Sequence, residues 1–246
     1  MEFIAGRLSH MKIKTLLILV ILTFCSGIQA IEYRTYSFGK LSSNLGYPSE
    51  NFFGSSEKEI FDLSTYTEKG ETYYQEINNY LRYFPAPYEW YGTSPDDAKV
   101  MVESMDHIFK NVPALPEDLI LFRGLTLNFR KNKSFSVGEE FSDKGFVSTS
   151  TTFSVAIHFA VEMNKDEPQK KKAILVMYQN APEQKGILID QEEDEVILKR
   201  SQLFKVMDKR NEPGKPYETY LVQVCKVTCD NSMNAEISKF WQAHHY

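Results

Sequence analysis

The chain has little cysteine, no excess of positive charge and no apolar run long enough to cross a bilayer. Three cysteines occur in 246 residues, and Cys25 lies in the N-terminal apolar segment. Cys225 and Cys229 are then a single pair, and His244-His245 close a terminal tail, which argues against a four-ligand zinc site. Lys and Arg number 28 against 33 Asp and Glu, a net charge of −5. That acidity argues against a nucleic-acid partner, because neutralising phosphates needs a basic face. The one dense basic run, Lys170-Lys171-Lys172, reads as a solvated turn between a helix and a strand. The longest apolar stretch, residues 16–22, falls short of the ~20 residues that span a membrane. Internal repeats, low-complexity segments and a linker to a second domain are absent from the sequence.

What is present begins with a leader. Lys12 and Lys14 precede the apolar residues 16–22, and small and polar residues follow through Ala30. This is the three-part pattern of a secretory signal peptide; an uncleaved anchor is the alternative. Met11 is read as the start, with cleavage after Ala30 or after Gly27. Cleavage removes Arg7, Lys12, Lys14 and Glu2, a net of +2, and takes the charge from −5 to about −7. A mature chain made this way is secreted, outside the cell or in a periplasm, with no stable membrane association. There Cys225 and Cys229 can oxidise. On a continuous strand their Cα atoms would stand ~13 Å apart, so a disulfide requires the strand to end between them.

Residues 31–69 are polar and weakly periodic, and read as a loosely structured lead-in. Tyr73, Tyr74, Ile77, Tyr80, Leu81 and Phe84 then recur at helical spacing until Pro85 and Pro87. Ser94 with Pro95 signals the start of a second helix running to about Asn111. Beyond Pro116 come short strand-like runs at 119–125, 145–149, 173–179, 186–190, 195–198, 203–207 and 217–227. One helix, 154–163, interrupts them, and 208–216 reads as a hairpin connection. Helices first and strands after imply one α+β domain, residues 70–246, with a largely antiparallel sheet system.

Three groups of polar residues carry candidate chemistry. Arg123 closes an apolar strand, where a guanidinium can grip a phosphate, and Gly124 beside it permits close approach of a ligand. Ser148-Thr149-Ser150 follows Phe146-Val147 on another strand, with Ser148 and Ser150 on one face. Thr151, Thr152 or Ser154 can cap the helix that follows. Glu193 and Glu195, two apart on an extended strand, would share a face ~7 Å apart. Paired carboxylates suit a cleft that stabilises a cation and orients a nucleophile. Singly, each group also fits a surface ion pair or an ordinary helix cap.

In this order, Arg123, then Phe-Val-Ser-Thr-Ser, then Glu193-x-Glu195-Val-Ile-Leu, the sequence resembles the arginine/serine/glutamate class of mono-ADP-ribosyltransferases. It is most similar to the catalytic domains of bacterial actin-modifying binary toxins, and to related exoenzymes and secreted ectoenzymes. The resemblance covers about residues 70–227 and includes Tyr74-x-x-x-Asn78-x-Tyr80-Leu81-Arg82 and Phe159.

It implies two roughly perpendicular, mainly antiparallel sheets flanked by N-terminal helices, with NAD as co-substrate and no metal. Glu195 would stabilise the oxocarbenium-like centre and bond the ribose 2′-hydroxyl, with Ser148 holding its carboxylate. Arg123 would hold the diphosphate, Tyr74 and Asn78 would line the cleft, and Phe159 would flank the nicotinamide. In this family Glu at position 193 goes with arginine acceptors and Gln with asparagine acceptors, which points to a protein substrate bearing an arginine. A toxin or effector role follows from export, with either a separate delivery component or action outside cells.

Departures are the short segment 187–192, Gly124 in place of a second arginine, Gly145 in place of an asparagine, and Glu162 in place of a basic residue. The short segment speaks against actin as the target. It also leaves open an NAD glycohydrolase using water as acceptor. A catalytically silent NAD-binding module would be expected to lack one of Arg123, Ser148 or Glu195, and none is missing.

Overall fold

A computed structural model describes residues 34–37, 40–41, 54–68, 72–85, 93–179, 183–189, 193–231 and 233–244, all within the compact unit Tyr33–Tyr246. The leader expected at 1–30 lies outside these residues. None of the described helices is long and apolar enough to cross a membrane.

Among the elements described in full, three helices precede the strands: α1 (Glu57–Tyr66), α2 (Tyr73–Tyr83) and α3 (Pro95–Asn111). The first corrects the reading of 31–69 as loosely structured. Ser56 and Glu59 form a reciprocal capping box, with the Ser56 N–H donating to Glu59 Oε2 at 2.7 Å. Leu63 and Tyr66 of α1 are buried with Ile77 of α2 and with Met101, Met105 and Ile108 of α3. The α3 start is as read: Ser94 Oγ accepts from Asp97 N at 3.1 Å, with Pro95 at the first position.

The strands are β1 (Ile120–Thr126), β2 (Glu140–Asp143), β3 (Val147–Ser150), β4 (Lys172–Gln179), β5 (Gly186–Leu188), β6 (Glu195–Leu198), β7 (Gln202–Arg210) and β8 (Tyr217–Cys225). Helix α4 (Phe153–Ala160) follows β3, and α5 (Ala235–Ala243) ends the described chain. Neither β2 nor α5 was legible in the sequence. The strands hydrogen-bond in the order β2-β7-β8-β4-β1-β3-β6-β5, and every pair is antiparallel except β4 with β8. The fold is α+β.

The sheet has two parts. Five strands (β2, β7, β8, β4, β1) and three (β3, β6, β5) meet through one residue pair, Phe122 with Ser150. Side-chain alternation shows how the parts are layered. Leu121, Leu175, Met177, Val222 and Phe204 of the larger part share one core cluster with Val147, Val196, Leu198 and Leu188 of the smaller. The opposite face of the larger part (Ile120, Phe122, Ile174, Val176, Leu221) is covered by α4 and α5. Ile187 and Ile197, on the opposite face of the smaller part, pack with the three N-terminal helices. The chain therefore folds its sheet over one apolar layer, and the break at Phe122 and Ser150 brings β1 beside β3 and β6.

Strand β8 stops at Cys225 rather than continuing to 227. The bend beyond it brings the Cα atoms of Cys225 and Cys229 to 5.1 Å, and the two form a disulfide. Helix α5 is held through Trp241, whose Nε1 donates to Asp208 Oδ2 at 2.8 Å while Arg210 lies 4.1 Å over its ring.

Candidate active site

Asn78 and Arg82 lie one turn apart on α2 and so face the same way. Asn78 is buried with both ends of its amide in use. Its Oδ1 accepts from Phe146 N at 2.8 Å, and its Nδ2 donates to the Tyr66 hydroxyl at 2.9 Å. Asn78 thus ties α2 to the start of β3 and to the last residue of α1. The Arg82 Nε and Nη2 donate to the two carboxylate oxygens of Asp143 at 2.9 and 2.8 Å, and Arg123 Nη2 stands 3.6 Å from Asp143 Oδ2. The Gly145 N–H donates to Asp143 Oδ1 at 3.0 Å. A β-carbon at Gly145 would stand 2.5 Å from Asn78 Oδ1, so the residue that replaces an asparagine here is small for a steric reason.

Electrostatics follow from this arrangement. Burial alone would raise the Asp143 carboxyl, but the Arg82 hydrogen bonds and the charges of Arg123 and Arg82 hold it below its ordinary value. Burial pushes the Arg123 guanidinium down, an effect opposed by Asp143 and reinforced by Arg82. Tyr66 is raised by burial, against the Asn78 hydrogen bond; the Glu195 carboxylate raises it further, while Arg123 and Arg82 lower it. Tyr66 therefore lies within electrostatic reach of both the arginine pair and Glu195. Two guanidinium groups share one carboxylate here, so these three side chains together carry a net charge of +1.

In the β3–β6 ladder Ser150 pairs with Glu195, Thr149 with Val196 and Ser148 with Ile197. Ser148, expected to hold the Glu195 carboxylate, shares its face but sits one same-face position further along. The residue directly opposite Glu195 is Ser150. Its hydroxyl donates to the backbone carbonyl of Glu193 at 2.8 Å.

The expectation that Glu193 and Glu195 alternate along one strand is corrected. Strand β6 begins at Glu195, Glu193 lies in a turn, and Asp194 has a left-handed backbone with φ 48°. Strand alternation therefore does not set the direction of Glu193. The flanking Glu192 lies outside the described residues.

Other expected residues have different surroundings. The space beside Gly124 belongs to the fold: a β-carbon would stand 1.8 Å from the Ala156 carbonyl oxygen of α4. Its smallness serves helix packing against β1 and leaves no room for a second arginine. Tyr74 on α2 is 43% exposed, and its hydroxyl accepts from Gln75 Nε2 at 2.8 Å. Phe159 on α4 is 39% exposed, with its ring edge-on to His158. Both stand outside the hydrogen-bonded group around Asp143 and Asn78. Sequence reading missed Tyr66 and Asp143 and gave Arg82 no role. The capping box at Ser56 and Glu59 was the signal for a helix ending near Tyr66, whereas nothing local marks Asp143. Among the described residues, no group of three His, Cys, Asp or Glu side chains could hold a metal ion.

Solved structures with this fold include ADP-ribosylating enzymes. Vis, an ADP-ribosyltransferase toxin from Vibrio splendidus solved in complex with agmatine, is 19% identical with a TM-score of 0.57, over 77% of this chain and 81% of that one. The C3 exoenzyme of Clostridium limosum is 18% identical with a TM-score of 0.56, over 80% and 98%. C3stau2 of S. aureus, solved with NAD, is 16% identical with a TM-score of 0.55, over 79% and 99%. No curated protein matches the chain in sequence. The family model for ADP-ribosyltransferase exoenzymes matches residues 30–228, a span that takes in Tyr66, Asn78, Arg82, Arg123, Asp143, the Ser-Thr-Ser strand and both glutamates. The chain belongs to the ADP-ribosyltransferase exoenzyme family.

Proposed function

We propose that the protein is a secreted mono-ADP-ribosyltransferase that moves ADP-ribose from NAD to an arginine of a target protein, releasing nicotinamide. NAD is the substrate of this family. The observation that carries the reading is that Arg82 and Arg123 meet at Asp143 beside Asn78, while Phe122, next to Arg123, pairs with Ser150, the residue directly opposite Glu195. Two arginines against one aspartate, a net charge of +1, suit a diphosphate. Arg123 is assigned to that contact, with Asn78 and Tyr74 along the cleft and Phe159 beside the nicotinamide.

When the bond from ribose C1′ to nicotinamide breaks, its electron pair leaves with nicotinamide and positive charge builds on the ribose. The Glu195 carboxylate stabilises that charge, with Ser148 and Ser150 as its hydroxyl neighbours on one strand face. A guanidine nitrogen then forms the new bond to C1′ and gives up a proton. Because an arginine side chain is charged at ordinary pH, it needs an acidic group to orient it and accept that proton, the role assigned to Glu193. The agmatine held by Vis, itself a guanidino compound, supports a guanidinium acceptor.

Residues 1–30 act as the export signal, the catalytic domain follows, and the target is a protein reached outside the producing cell or through a separate delivery component. Water as acceptor is the second reading, favoured by the short segment 187–192. Incubation of the mature chain with labelled NAD, with and without agmatine, tests both. Labelled agmatine is the expected product; nicotinamide with free ADP-ribose alone would instead establish a glycohydrolase.

A further inference from the structure

The turn that carries Glu193 is fastened to the exit of β3. Ser150 Oγ donates to the Glu193 carbonyl at 2.8 Å, and Thr151 N donates to the Asp194 carbonyl at 3.1 Å. The Thr152 hydroxyl donates to Asp194 Oδ2, and Thr152 N donates to Ser150 Oγ at 3.0 Å. Thr152 is also the N-cap residue of α4, a position where a threonine oxygen ordinarily accepts from the first helical turn, yet no such cap bond forms. Its hydroxyl is turned to the aspartate instead. Asp194 holds a left-handed backbone that aspartate tolerates better than most residues, and its carboxylate points back to Thr152.

The two glutamates are therefore fixed by different means. Glu195 belongs to the ladder, paired with Ser150, and its carbonyl accepts from Ile189 N at 3.1 Å. Glu193 precedes the ladder, and its backbone is set by the contacts from β3 and Thr152.

We infer that the Thr152 and Asp194 hydrogen bond is a positioning device for the acceptor: it aims Glu193, and so determines whether ADP-ribose passes to a guanidinium or to water. Neither residue touches the reacting atoms; both act through Glu193. The inference rests on the arginine-acceptor reading above and adds the residues that enforce it.

The test measures nicotinamide release and agmatine labelling in the mature chain and in Thr152→Val, Thr152→Ser and Asp194→Gly. Valine keeps the shape of threonine and removes the hydroxyl. Glycine accepts the left-handed backbone and removes the carboxylate, so it serves if the valine variant folds poorly. The expected result for Thr152→Val and Asp194→Gly is a fall of about tenfold in agmatine labelling relative to nicotinamide release, with KM for NAD unchanged. Thr152→Ser, which restores the donor, should recover the wild-type ratio. A wild-type enzyme that labels agmatine, with the same ratio in every variant, overturns the positioning role alone. A wild-type enzyme that releases nicotinamide and labels no agmatine overturns the arginine reading, and the positioning role with it.

Discussion

Ser150 stands directly across the β3–β6 ladder from Glu195. The pair lies next to the join of the two parts of the sheet, because Ser150 also pairs with Phe122 of β1. One serine thus aligns the carboxylate strand with the strand that carries Arg123. Its hydroxyl reaches past that pair to the carbonyl of Glu193, so both glutamates are referenced to the same residue.

The roles assigned to the two carboxylates separate under conservative substitution. Glu195→Gln should reduce nicotinamide release by about 100-fold or more, because the neutral amide cannot stabilise positive charge on the ribose. Glu193→Gln should keep nicotinamide release within about threefold while transfer to agmatine is lost. Parallel rate measurements on the two variants check this, and equal loss of both activities in Glu193→Gln would assign that residue to bond cleavage.

Arg123→Ala should weaken NAD binding by roughly 10- to 100-fold, the loss expected when a partly buried guanidinium is removed from a diphosphate. Calorimetric titration with NAD measures it directly. Unchanged affinity would remove Arg123 from the phosphate site.

Asp143 predicts an acid dependence of stability. Its folded-state pKa is depressed, so the stabilisation is complete above the unfolded value near 3.9 and is lost as pH falls through the lower folded value. Asp143→Asn should lower stability at pH 7 by about 2 kcal/mol, since Arg82 loses a charged partner that it contacts through two nitrogens. As pH falls through that depressed folded value, the wild type should approach the variant, because both then carry a neutral side chain. Thermal unfolding of the two proteins across this range checks the sign; a gap that widens in acid would contradict it.

Gly124→Ala should destabilise the fold by about 3 kcal/mol, as the new methyl would meet the Ala156 carbonyl oxygen of α4 rather than a movable side chain. Urea unfolding gives the value. A variant as stable as the wild type would mean that α4 can shift away from β1 without cost.

Much of this architecture was readable along the chain, where short-range physics decides. The Ser94-Pro95 cap, the helical spacing from Tyr73 to Phe84 and the β6 run Glu195–Leu198 each carry their own signal within a few residues. So does the order of Arg123, Ser-Thr-Ser and the two glutamates, which carried the family likeness. Helix α1 was legible too, through its capping box, and was lost beneath a polar composition.

Strand β2 and the role of its last residue, Asp143, were not legible. Four alternating residues at a sheet edge carry little signal, and the partners of Asp143 lie 61 positions before it and 20 before it. The same holds for the pairing of Glu195 with Ser150 rather than Ser148, which a register sets between strands distant in sequence. Glu193 left the strand face because Asp194 turns the backbone left-handed, in a conformation held from Thr151 and Thr152 across more than forty residues of chain. The sequence by itself determined which elements form and which chemical groups the chain carries, because propensity, capping and alternation act over a few residues. Only the tertiary structure decided which groups face one another, because that depends on hydrogen bonds and burial between segments that only folding brings together.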